Sequence, residues 1–377
     1  MKIYDRTSVH EFLGDLVVFR NLAPPDERLP RLDDLREPAR VPPGVTPRKS
    51  QPAYGRVVAE LLRAARKLDA HQAALERLVY VGDTRLNDAV AFDNIASAGG
   101  WAGRAFIASE TPEPTTAEIV QRGPTALYFA SRWGAIVEFE RFCEEQGFPI
   151  DPQTAVVIDL DKTALGARGR NDRVINQARV EAVRRAVGGL LGDTFDRQAF
   201  QVAYDTLNQT EFHLFTADNQ DYLAYICLIL GSGLYQLQPL LDRVRADQLT
   251  SFASFIAEVD EQAGELPASL RQIHQDIYRR VQAGDPTPFK AFRYHEYQAT
   301  VERMGCLSDD LPVEDLLARE IVITQEVREA ALRWKEQGAL LFGLSDKPDE
   351  ASIPTDQLAG EGYLPIHRVE THAVGAR

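Results

Sequence analysis

Two aspartates one residue apart, Asp159 and Asp161, follow an apolar run in the stretch AVVIDLDKT, residues 155–163. A carboxylate at the tip of a buried strand is a competent nucleophile toward phosphorus and forms an acyl-phosphate there. A second carboxylate two positions on faces the same side by strand periodicity, if the strand lasts that far. It is then placed to protonate a leaving oxygen and afterwards to activate water. Two further apolar runs end in polar groups: RLVYVGD closes on Asp83 and ALLFGLS on Ser345, while Lys49 stands just ahead of the helical stretch leading into the Asp83 strand. Attack by an anionic oxygen on an anionic phosphate requires the repulsion to be neutralised, and Mg2+ held by one or two carboxylates suits this. A lysine adds a point charge, and a serine hydroxyl can hold a phosphoryl oxygen.

These groups need a scaffold that brings strand ends together. AYGRVVAELLRAARKL (53–68), NDAVAFDNIASAGG (87–100) and WGAIVEFERFCEEQG (133–147) carry apolar residues at helical spacing. They alternate with the short apolar runs RLVYVGD, TALYFAS and AVVIDLD. Such alternation predicts an α/β fold: a Rossmann-like parallel sheet with helices on both faces, whose ligands bind beyond the carboxyl ends of the strands. The stretch 21–51 is rich in proline and charge and reads as mostly loop. After Asp172 the sequence is helical in period until the alternation resumes at Glu320. The expected organisation is therefore a core first part over 1–167, an all-helical insertion over 168–319, and a core second part over 320–377.

The residues resemble the haloacid dehalogenase-like hydrolases. DLDKT matches that family's first motif, Asp-x-Asp-x-Thr, and LLFGLS its second, an apolar strand ending in Ser or Thr. RKSQPAYGRVVAELL looks like its third, a lysine opening a helix, and VYVGDTRLND is similar to its fourth, Gly-Asp followed by another acid. The resemblance implies that Asp159 is the nucleophile and Asp161 the general acid/base, and that Thr163 and Ser345 lie at the substrate. It implies that Lys49 steadies nucleophile and phosphate, with Arg48 or Lys347 as other candidates. Asp83, the Asp159 carboxylate and the Asp161 backbone carbonyl would hold Mg2+, with Asp88 in the outer shell. The helical middle would be the family's cap. The motif order departs from the family's: the lysine and metal aspartate come before the nucleophile. The chain thus resembles a circular permutation, cut between the second and third motifs, which also admits a homodimer whose partners complete each other's sites.

The second aspartate favours phosphate chemistry over the family's dehalogenase branch, where halide leaves without a proton. The implied activity is Mg2+-dependent hydrolysis of a small phosphorylated metabolite. A phosphotransferase or mutase using the same intermediate, and a non-catalytic phosphate-binding or assembly protein, are the alternatives. In GARGRNDR (166–173), Arg168 and Arg170 are candidates for binding phosphate, against a plainer reading as a solvated hinge. FKAFRYHEY (289–297) offers Lys290, Arg293 and His295, or simply a helix with one wet face; His367 and His372 read as structural, since a metal pair has no evident third ligand. The net charge of −14 argues against nucleic acid or an anionic membrane as partner. Three scattered cysteines fit a reducing cytoplasm, and YLAYICLILGSGLY (222–235) is too short to span a bilayer and reads as a buried helix.

Overall fold

The computed structural model describes residues 1–69, 73–112 and 114–376. Among them are ten strands: β1 Lys2–Thr7, β2 Val17–Val18, β3 Arg77–Gly82, β4 Ala102–Ala108, β5 Ala117–Arg122, β6 Thr125–Ala130, β7 Thr154–Asp159, β8 Ile323–Thr324, β9 Leu340–Leu344 and β10 Thr371–Gly375. Seven form one sheet in the order β2-β9-β7-β3-β4-β6-β5, parallel throughout except for β5, which lies antiparallel along β6. This is the expected α/β, Rossmann-like architecture.

Every residue of β7 is buried, which is why its sequence reads as an apolar run rather than an alternation. Its two faces meet different partners. Ala155 and Val157 join Leu78 and Tyr80 of β3 in a core with the helices Pro52–Leu68 and Asn87–Gly99. On the other face, Phe106 of β4 and Tyr128 of β6 pack against Phe139, and Phe106 also meets Trp133. β1, β10 and β8 make a second, small sheet in which the first and last strands pair antiparallel, Lys2 opposite Gly375.

The stretch 21–51 is not all loop. A helix spans Leu32–Ala39, because Leu32, Leu35 and Ala39 fall on one buried face and the Asp34 carboxylate accepts the Arg31 N–H at its start. Pro38 gives up one helical hydrogen bond, and the helix ends one residue later, at Ala39.

The chain divides into two compact units, Met1–Gln177 with Thr300–Arg377, and Ala178–Ala299. The second is narrower at both ends than the expected 168–319 insertion: residues 168–177 and the helix Val313–Arg319 group with the sheet. Unit Ala178–Ala299 is helical among the described residues, with a core of its own built around Leu223–Ile229 of the helix Gln220–Gly231. Within it, Arg293 is buried between Asp221 (2.8 Å) and Glu296 (2.5 Å), and Arg179 closes the network on Glu296 at 3.1 Å. This removes Arg293 from the groups offered to a substrate by the stretch 289–297. Lys290 is turned toward Thr287 and Asp285. No helix among the described residues is long and apolar enough to cross a membrane.

Candidate functional site

Strand register aligns the candidate residues. Val81 of β3 lies opposite Ile158 of β7, and Asp159 lies opposite Leu344 of β9. Asp83, Asp159 and Ser345 therefore emerge at one level along the carboxyl edge of the sheet. Asp83, Asp88 and Asp159, all buried, can each present an oxygen within 4.8 Å of the others. Lys49 enters from the loop before the helix Pro52–Leu68. Its Nζ donates to Asp159 Oδ1 at 2.6 Å and to Asp88 Oδ1 at 3.0 Å. All four residues come together within the one chain. Lys49, rather than Arg48 or Lys347, occupies this place; the Lys347 ammonium reaches Thr300 Oγ1 at 3.1 Å.

Asp88 is held by a net of donors. Besides Lys49, it accepts from Tyr80 Oη (2.9 Å), the Asp83 and Thr84 backbone N–H groups (3.1 and 2.9 Å) and Thr84 Oγ1 (2.7 Å). A carboxylate with both oxygens committed in this way organises its neighbours. Gly82 makes this possible, since a Cβ there would lie 2.8 Å from Asp88 Cβ and Cγ. Sequence reading missed Tyr80 and Thr84: tyrosine in a strand signals packing, and threonine after Gly-Asp signals only a turn.

The electrostatics follow from crowding acids in a dry place. Burial, with the Asp88 charge adding to it, pushes Asp83 up to about 7 despite Arg168. Burial also raises Asp159 well above the usual carboxylate range, against Lys49 and with Asp88 and Asp83. For Asp88, burial is outweighed by Lys49 and the hydrogen bonds, and its pKa is lowered. Burial likewise opposes the Lys49 charge, but Asp159 and Asp88 outweigh it and hold the ammonium charged. Three hard carboxylates drawn together, with two of them resisting ionisation, fit a divalent cation such as Mg2+. Asp83 and Asp159 would hold it directly.

This crowding has a sign that a melting experiment reads. Between pH 3.8 and about 7 the folded chain retains an Asp83 proton that the unfolded chain has lost. Cation-free stability should therefore fall as pH rises through that window, by up to about 4 kcal/mol at roughly 1.4 kcal/mol per pKa unit. Calorimetry in chelator should show a lower melting temperature at pH 8 than at pH 5, a gap that narrows in Asp83→Asn. Mg2+ should raise melting more at pH 8, and a larger Mg2+ effect at pH 5 would contradict the arrangement.

The remaining expected residues separate into groups. Asp161 stays outside the three-carboxylate cluster. The strand ends at Asp159 and the chain turns at Lys162 (φ 69°), so strand periodicity no longer governs where Asp161 points. Thr163 is fully buried and its hydroxyl donates to Asp159 Oδ2 at 3.2 Å. It orients the nucleophile candidate rather than lining a substrate surface. Ser345 is buried at the tip of β9, its Oγ accepting the Lys347 N–H at 3.0 Å. Arg168 Nε donates to Asp83 Oδ2.

Arg170 is a correction. Its guanidinium is consumed by Glu110 at 2.6 Å, Glu326 at 2.9 and 2.8 Å and the Val374 carbonyl, so it is a staple within the fold. The solvated-hinge reading of GARGRND fails for the same reason, because Asn171 is also tied to the Leu317, Glu320 and Val322 backbone. His367 bonds Asp15, whereas His372 bonds Glu320 and Asp309; they share no ligand site.

No known family model matches this chain, and no curated protein or solved structure is similar to it by sequence or fold comparison.

Proposed function

We propose that the chain is a Mg2+-dependent phosphohydrolase of the haloacid dehalogenase-like kind, with permuted motif order, acting on a small phosphomonoester through an aspartyl-phosphate on Asp159. The observation that carries this reading is the meeting of Lys49, Asp83, Asp88 and Asp159 at one end of a parallel sheet, from segments far apart in sequence.

Mg2+, bound by Asp83 and Asp159, would neutralise phosphate charge and favour the ionised carboxylates. The residues of the chain do the rest. Thr163 and Lys49 fix the two oxygens of Asp159, so one carboxylate orientation faces an incoming phosphorus. Lys49 is held in turn by Asp88, which leaves its charge in place as negative charge builds on the phosphoryl group. Ser345 accepts a backbone N–H and keeps its own proton to donate to a phosphoryl oxygen. Asp161, outside the cluster, can carry the proton to the leaving oxygen and later take one from water. The helical unit Ala178–Ala299 falls between the first and second motifs, where the family inserts its cap.

The direct test is release of orthophosphate from a panel of phosphorylated metabolites and an aryl phosphate, with Mg2+ and with chelator. No Mg2+-dependent release from any ester would overturn the reading. Asp161→Asn tests the proton role separately. It should slow alkyl phosphates by about 10²–10⁴-fold and an aryl phosphate with an acidic leaving group far less. Equal losses on both would remove Asp161 from that role.

A further inference from the structure

Resting on the metal reading above, we infer that Arg168 and the divalent cation are alternative occupants of the Asp83 carboxylate, and that cation binding releases the guanidinium to grip phosphoryl oxygens. Among the described residues two basic groups touch the acid cluster, and they are built differently. Lys49 bridges Asp88 and Asp159 with its side chain only 6% exposed, walled in with both partners. Arg168 bonds Asp83 alone, and its side chain is 33% exposed while that of Asp83 is 5% exposed. Of the two, Arg168 is the one whose side chain reaches solvent while holding an acid of the cluster.

The backbone beneath it does not move easily. Arg168 N–H donates to the Lys162 carbonyl at 2.8 Å, and its own carbonyl accepts from Glu110 N–H at 3.0 Å and Trp133 Nε1 at 3.2 Å. Gly169 has φ 79°, and a Cβ there would lie 1.9 Å from the Glu110 carbonyl oxygen. Arg170 then locks the loop to Glu110 and Glu326. What remains adjustable is the Arg168 side chain itself. A guanidinium and a divalent cation repel when they share one carboxylate, so each weakens the other there. Once displaced, the fork has a fixed root beside the cluster and a geometry suited to two phosphoryl oxygens.

The test uses Mg2+ alone, titrated calorimetrically into the full chain as wild type, Arg168→Met and Arg168→Lys. Arg168→Met should bind Mg2+ about tenfold more tightly, as expected when a competitor that occupies its site most of the time is removed. Arg168→Lys should stay near wild type, and the Mg2+-induced rise in melting temperature should be larger in Arg168→Met. At saturating Mg2+, orthophosphate should bind Arg168→Met more weakly. Equal or weaker Mg2+ binding by Arg168→Met, with the wild type binding and turning over esters, overturns the competition and leaves the proposed function standing. Unchanged orthophosphate binding overturns the release to phosphate. Absence of Mg2+ binding in all three proteins overturns this inference together with the metal reading.

Discussion

Asp159→Asn is expected to abolish Mg2+-dependent hydrolysis of an aryl phosphate, by at least about a thousandfold, since only binding and fixed electrostatics then remain. The fold should not suffer. Asparagine matches the shape of aspartate, and Lys49 keeps Asp88 at 3.0 Å as its partner. The substitution also removes a carboxylate that burial and two neighbouring acids already disfavour as an anion. The variant should therefore melt at or above the wild-type temperature in chelator at pH 8, while losing turnover. Loss of activity with a collapsed melting transition would speak for a structural role. Undiminished turnover in a well-folded variant would remove Asp159 from the chemistry altogether.

The second large effect belongs to Lys49→Met. Methionine fills the volume of the lysine stem but leaves Asp159 and Asp88 without the charge between them. Removing one partner of a buried ion pair costs about 3–5 kcal/mol. For a unit of this size that corresponds to a fall in melting temperature of roughly 10 °C, at about 2–4 °C per kcal/mol. Hydrolysis should drop by at least about a hundredfold, because a preorganised positive charge beside the phosphoryl group is lost. Mg2+ should restore part of the stability, since it supplies charge to the same carboxylates, and little of the rate. Lys347→Met is the comparison: its ammonium faces Thr300, so turnover should be much less affected. The reverse ordering of the two lysines would transfer the role to Lys347.

How far each feature could be read from the chain depended on how local its cause is. β7, β3, β6 and β9 were legible because a strand buried on both faces must be an uninterrupted apolar run, as AVVID and LVYVG are. β4 was hidden by its glycine and by Arg104, which escapes the apolar rule by stacking over Phe148. β5 is an edge strand, exposed along nearly all its length, and β2 and β8 are two residues each, too short for any period to show. The helix Leu32–Ala39 was masked by proline, whose cost depends on where in the helix it falls.

The same division runs through the candidate site. Sequence alone determined that carboxylates would stand at strand tips, since an apolar run ending in Asp, Gly-Asp or Ser can place its polar residue only where the strand leaves the core. It also determined that a lysine ahead of a helix was a candidate partner. Only the tertiary structure decided which basic group pairs with which acid. Lys49 meets Asp159 across 110 residues of sequence and Arg168 meets Asp83 across 85, whereas Arg170, two positions on, is spent on Glu110 and Glu326. Two arginines of one loop look alike as letters. Their roles diverge where Gly169 turns the backbone between them: the Arg168 side chain stays partly exposed beside Asp83, and that of Arg170 is buried against Glu110 and Glu326.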